Sequence, residues 1–243
     1  MDTKAVFTIV RNEKVFLPIW LKYYSKYFNK EDIYILDNDT TDGSTDGLNT
    51  VKVSSEVFLN SRWLRRQVTK MQRKLLKKYD IVLFAECDEI IVPLRTGRFE
   101  DHLVDGKPVV KCTGFEIIHR IREEPEIDWS KPLLEQRKYG SYFPKFNKPL
   151  LSRIPLTWSM GFHYLRNYEN DEKVGTDPML MLVHLRRIDY NTCKKKFMER
   201  IKWRTIKRMG HRPAKQWRPG TNFDHWFTGD STTKIPGNIK HVI

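Results

Sequence analysis

The sequence predicts an α/β protein built on a mostly parallel mixed sheet flanked by helices, and three observations predict it. Short β-rich apolar runs alternate with segments of helical periodicity over the first ninety residues, in the order β, α, β, β, α, β. Polar and acidic residues gather where those runs end. One run, Ile81–Ala85, is apolar throughout, as suits a strand covered on both faces. A basic helix near the C-terminus stands outside the alternation as an appendage.

Taken in order, Ala5–Val10 is the first expected strand, with Arg11, Asn12 and Glu13 directly after it. Val15, Phe16, Ile19, Trp20, Tyr23, Tyr24 and Tyr27 then recur at helical spacing, with Pro18 tolerated in a first turn. Ile33–Leu36 is the second strand, followed by Asp37, Asn38 and Asp39 and by the turn-forming run TTDGSTDG. Val51–Phe58 reads as a third strand. Arg62–Tyr79 reads as a helix with an apolar stripe of Trp63, Val68, Met71, Leu75 and Leu76 and a heavily basic opposite face. After the Ile81 strand, Val109–Ile118 is expected as a strand bent at Gly114, Glu123–Trp129 as a loop, and Leu150–Ile154 and Met179–Leu185 as further strands. Lys194–Met209 is the basic helix, with Phe197, Ile201 and Ile206 on its apolar side. No linker composition interrupts the chain. It therefore reads as one domain, 1–243, in three stretches, 1–106, 107–190 and a helix and tail at 191–243.

Composition bounds the function. Hydrophobic residues make up 40% and charged residues 30% of 243, so a packed core is expected rather than disorder. The net charge of +14 favours acidic partners without choosing among them. Three well-separated cysteines, with no CxxC pair, argue against a zinc site or a disulfide framework and for a reducing, cytoplasmic setting. A strand begins almost at the N-terminus, so no leader segment is expected, and no apolar run approaches the ~20 residues that span a bilayer.

The chemistry concentrates in Glu86, Asp88 and Glu89 at the end of the Ile81 strand. Glu86 and Asp88 fall on one side of an extended segment, and the carboxyl end of a strand in an open α/β sheet is where ligands bind. Two converging carboxylates suit a hard divalent cation, Mn²⁺ or Mg²⁺, with diphosphate oxygens completing its sphere; the plainer reading is an acidic turn. Neither GxGxxG nor GxxxxGK[ST] occurs, so dinucleotide and P-loop sites lack their loops.

VRNE at 10–13 followed by an aromatic helix, LDNDTTDGS at 36–44 and ECDEII at 86–91 together resemble glycosyltransferases of the GT-A fold, most closely the family 2-like and family 92-like groups. KPLLSRIPLTWSMGFH at 148–163 and LVHLRRIDY at 182–190 extend the resemblance over roughly residues 4–200. It implies transfer of a sugar from a nucleoside-diphosphate sugar, most often a UDP-sugar, to a glycan or other hydroxyl acceptor with inversion, as in polysaccharide biosynthesis. It implies Asp88 as metal ligand, with Glu86, which replaces the usual first Asp of a DxD motif, reaching the metal or the ribose. Asp37 and Asn38 would meet the nucleotide, Asp37 alternatively forming an Asx-turn. Asn12 and Glu13 would cap the first helix, with Val10 and Arg11 against the base.

The resemblance also offers a late histidine as a further metal ligand. His163 matches it, whereas His184 reads as a core histidine and His119 as a surface one. An inverting transfer needs a carboxylate base, for which Glu116 and Asp177 are the candidates. Arg62, Arg66 and Lys70 form either a solvated face or, through Arg66, a contact to donor phosphate. The run KKKFMERIKWRTIKR suits either peripheral contact with an anionic membrane on its cytoplasmic face or a soluble helix packed by Phe197, Trp203 and Ile206. Other classes compete: a metal-dependent nucleotidyl- or phosphotransferase on the same carboxylates, and a basic nucleic-acid-binding module. No RNP, KH or zinc-finger pattern supports the last, and no nucleic-acid partner is expected.

Overall fold

The computed structural model describes residues 2–54, 61–168, 172–206, 223–228 and 232–243, and within 200–206 the backbone only. These residues form ten strands and three α-helices in two compact units. The first unit takes residues 1–115, 142–184 and 242, and the second takes 116–141, 185–241 and 243.

In the first unit, β1 (Lys4–Val10), β2 (Ile33–Asn38), β3 (Thr50–Val53) and β4 (Ile81–Phe84) form a parallel half-sheet in the order β3-β2-β1-β4. Their crossovers contain α1 (Phe16–Tyr24) and α2 (Ser61–Leu75). The other half is antiparallel. β8 (Pro149–Ser152) pairs with β4 and with β6 (Val109–Ile118), and β5 (Glu89–Pro93) pairs with β9 (Val174–Arg187). β4 is buried along its whole length, as its unbroken apolar run requires. The expected third strand ends at Val53, and 55–60 lie outside the described residues.

The acidic run does not simply end a strand. It is a tight turn between β4 and β5, closed by the Glu89 amide donating to the Glu86 carbonyl at 2.9 Å. One edge of β5 lies on β9. The other meets α1 instead of a strand: the Tyr23 hydroxyl donates to the Ile91 carbonyl and the Ile91 amide donates to the Tyr24 hydroxyl, both at 2.9 Å. The aromatic helix thus satisfies backbone groups that an uncovered edge would leave open. On the other helix, Gln72 of α2 is buried, gives its amide to Ser152 Oγ and the Ile154 carbonyl, and accepts from the Leu156 amide. Gly114 in β6 is needed for close approach, since a Cβ there would fall 2.2 Å from Cβ of Phe146.

The second unit holds α3 (Tyr190–Ile206) and the short antiparallel pair β7 (Tyr139–Tyr142) and β10 (Thr233–Lys234). Buried Arg137 donates to the carbonyls of Ile188, Pro125 and Gln136. Phe197 and Cys193 of α3 are buried with Phe223 and Phe227, so the part of its apolar face that is described packs on protein. The side chains of Ile201, Trp203 and Ile206 lie outside the described residues. Cys87, Cys112 and Cys193 are buried, and no disulfide joins them. Among the described residues no helix is long and apolar enough to cross a membrane.

Candidate active site

The parallel register brings the motifs together. Val10 of β1 stands opposite Asp37 of β2, so Arg11–Glu13 and the Asp37–Ser44 loop leave the same carboxyl edge side by side. Phe7 stands opposite Phe84, so β4 delivers Glu86–Glu89 at that edge as well. This is the edge at which open α/β sheets bind ligands.

The first two loops are stitched to one another. Asn12 Oδ1 accepts the Thr41 amide at 2.8 Å, Asp42 accepts the Lys14 amide at 3.1 Å, and Ser44 Oγ accepts the Glu13 amide at 3.3 Å. Asn12 and Asp39 take left-handed backbone with φ of 56° and 53°, which Asn and Asp tolerate better than other residues with a side chain. Asn12 therefore does not cap α1 as expected; Val15 precedes the helix without a side-chain cap. Asp37 is fully buried. It takes the Thr40 amide at 2.9 Å in the Asx-type turn, the Thr45 hydroxyl at 2.9 Å, and the Lys52 ammonium at 2.5 Å. Burial works against its charge, but Lys52, Thr40 and Thr45 outweigh it and hold the carboxyl down at about 2. Buried Asn38 ends β2 beside it, and Arg11 lies 3.9 Å from Asp39.

The acidic turn divides into two sets. Lys148, buried at the start of the segment that enters β8, places its ammonium 2.5 Å from Glu86 and 2.5 Å from Glu89. Burial disfavours that ammonium, yet the two carboxylates raise its pKa well above the ordinary lysine value. Glu89 is fully buried, and desolvation raises its carboxyl above the usual range while Lys148 pulls the other way. Asp88 turns to the opposite partner: its Oδ2 is 3.7 Å from Nε2 of His184, which β9 places directly across from Glu89. Phe146 packs on the His184 ring with centroids 4.5 Å apart.

Two expected readings gain a structural partner. The Glu86 carboxylate holds the Lys148 ammonium. His184, read as a core histidine, is the imidazole beside Asp88. Two ligand atoms ~2.0–2.2 Å from one ion and roughly 90–120° apart are separated by about 2.8–3.8 Å, so 3.7 Å accommodates a shared cation. Among the described residues no group of three acids, histidines or cysteines could hold a metal by itself. A metal here would take two protein ligands and leave its other positions to water or substrate. His163 is half-buried, with Nδ1 2.5 Å from the Lys145 carbonyl; desolvation, then Lys148, lower its pKa.

Neither candidate base is presented as one. Asp177 accepts from Arg95 Nη2 and pairs with His102 Nδ1, each at 2.9 Å, and takes the Met179 amide. It lies on β9 seven residues before His184, about 23 Å away along a strand, and so does not belong to this site. Glu116, in the second unit, receives two guanidinium donors of Arg187 on one carboxylate oxygen, which stabilises its charged form and weakens it as a proton acceptor. Arg66 lines a cleft between α2 and β3 together with Lys52.

No family model matches this chain, and no curated protein matches it. Among solved structures it is similar to a mannosyltransferase from Pyrobaculum calidifontis in complex with GDP-Man and Mn²⁺, at 13% identity and a TM-score of 0.48, over 87% of this chain and 66% of that one. It is similar also to glucosyl-3-phosphoglycerate synthase from Mycobacterium tuberculosis in complex with Mn²⁺, UDP and glucosyl-3-phosphoglycerate, at 16% identity and a TM-score of 0.42, over 75% and 72%. The chain thus spans just under two thirds of the mannosyltransferase. At these identities and scores no residue role is carried across from either.

Proposed function

We propose that this chain is a metal-dependent glycosyltransferase of GT-A type. It would take a nucleoside-diphosphate sugar, in the first instance UDP-linked, and transfer the sugar to a hydroxyl of a glycan or related acceptor. The observation that carries the reading is the 3.7 Å approach of Asp88 Oδ2 to His184 Nε2 at the carboxyl edge of a parallel half-sheet. A mixed carboxylate–imidazole pair suits Mn²⁺ better than Mg²⁺, which prefers oxygen ligands throughout. Bound there, the ion would neutralise charge developing on the departing diphosphate.

The chain's own residues would do the rest. Backbone near Val10 and Arg11 would lie along the base, and Asp37 and Asn38, fixed by the stitched loops, would set the floor for base and ribose. Arg66 would meet the donor phosphates. Lys148 holds Glu86 and Glu89 on one side of the turn, and Asp88 would offer its carboxylate to the ion from the side of His184. Inversion of configuration rests on the family resemblance alone; with Glu116 held by Arg187 and Asp177 far along β9, no carboxylate is assigned as the base.

The test is calorimetric titration of UDP and GDP with and without Mn²⁺. Mn²⁺ should raise nucleotide affinity at least tenfold in the parent, and Asp88→Asn and His184→Ala should each remove most of that gain while keeping the far-ultraviolet spectrum. Nucleotide binding indifferent to Mn²⁺ would overturn the assignment. If His163→Ala, and not His184→Ala, abolished the gain, the second ligand would be His163.

A further inference from the structure

α2 and β3 enclose an open cleft of about 740 Å³ in the first unit. Seven of its lining side chains are cationic, and among the described residues the lining includes no acid and no aromatic ring. Lys52 spends its charge on Asp37, and Arg73 donates to the Thr157 hydroxyl at 3.1 Å. Lys70 and Lys74 follow Arg66 at four-residue steps, and Lys77 comes three residues later in the turn after α2. At ~1.5 Å per residue this sets a cation roughly every 5–6 Å along the floor. So many like charges on one helix face repel one another, and among the described residues the lining offers no carboxylate of its own to offset them.

We propose that this cleft binds a linear polyanionic glycan, a chain of sugars carrying carboxylate, sulfate or phosphate groups. Regular cations along an open groove match a regularly charged chain better than a single small anion, which would engage two or three of them. Among the described residues the lining holds no aromatic ring, which favours a glycan over single-stranded nucleic acid, whose nonspecific grooves combine cations with rings on which bases stack. The proposal adds an acceptor class to the glycosyltransferase reading and shares Arg66 with it, but it is carried by the row Lys70, Lys74 and Lys77. It is tested without metal or nucleotide, so failure of either reading leaves the other standing.

The probe is a fluorescently labelled heparin octasaccharide, followed by anisotropy against salt concentration, with a dT oligonucleotide of equal charge alongside. The parent should bind the octasaccharide more tightly than the oligonucleotide. K70Q/K74Q/K77Q should weaken octasaccharide binding at least tenfold at 0.15 M salt and make the log–log salt dependence shallower by about two, as three lost counterion-releasing contacts require. A control with the same charge change, K22Q/K30Q/K240Q, should bind within twofold of the parent. Equal losses in the two triple variants would reduce the effect to net charge and overturn the proposal. Tighter binding of the oligonucleotide would replace the glycan with nucleic acid. Both variants are surface changes, and their thermal melts verify folding.

Discussion

Removing Lys148 should destabilise the protein severely and in a pH-dependent way. Its ammonium lies 2.5 Å from both Glu86 and Glu89, and Glu89 is fully buried. In Lys148→Met the apolar stem is kept and the charge is lost, so Glu89 must either stay ionised without its ammonium or take up a proton. Deleting one partner of a buried pair costs about 3–5 kcal/mol, which for a chain of this size lowers Tm by roughly 6–20 °C. The pH dependence follows from the two partners. The folded pKa of Lys148 is raised, so its contribution is fully present below the ordinary lysine value of 10.5 and constant between pH 5 and 8. Glu89 is raised above 4.5 by burial, with Lys148 opposing; without the lysine it rises further. An acid with a raised folded pKa favours the folded state at low pH and loses that advantage as pH rises through the folded value. The deficit of Lys148→Met should therefore be smallest near pH 5 and largest near pH 8 in urea or thermal melts. Lys148→Met/Glu89→Gln should recover much of the loss at pH 8. A penalty under 1 kcal/mol, or one that does not change with pH, would refute the view that this ammonium neutralises the acidic turn.

Asp37→Asn should cost about 1–2 kcal/mol at pH 7, discounted because Lys52 reaches the buried carboxylate from solvent. With a folded value of about 2 against 3.8, that stability is present above 3.8 and lost as pH falls through 2, so the variant's acid-denaturation curve should be flatter there; an unchanged curve would remove Lys52 and the Asx turn as the cause. Asp177→Asn should lower stability through the loss of its His102 and Arg95 contacts while leaving sugar transfer per folded molecule within twofold; a hundredfold fall in rate would return Asp177 to the chemistry. Glu116→Gln should behave similarly, with the loss traced to Arg187: Glu116→Gln/Arg187→Met should cost less than the sum of the two single changes.

Much of the first unit was legible because its signals are local. The apolar runs at Lys4–Val10, Ile33–Asn38 and Ile81–Phe84 and the amphipathic stripe of α2 each lie within a single window. Parallel register then follows from short crossovers, which is why the VRNE, DNDTTDGS and ECDE motifs meet at one edge. β5 was missed because Glu89–Pro93 begins with the last of three acids and ends in proline, and it becomes a strand only because β9 and two tyrosine hydroxyls satisfy its backbone. β7 was missed because Tyr139–Tyr142 contains a glycine and carries no alternation.

The partners of the acidic turn were hidden for a different reason. Lys148 lies about sixty residues from the acids it neutralises, and His184 nearly a hundred from Asp88; no periodicity links residues so far apart. A signal did exist in each case. Lys148 precedes an apolar strand in a segment with no nearby acid, and a lysine that becomes buried needs carboxylates from elsewhere. His184 interrupts an otherwise apolar run, LMLV-H-L, where a buried imidazole must likewise find a polar partner. Paired with the acidic turn Glu86–Glu89, of which Glu89 is fully buried, both observations point to one place in the chain. Following buried charge along the whole chain links Lys148 and His184 to this turn, where motifs read one at a time leave them apart.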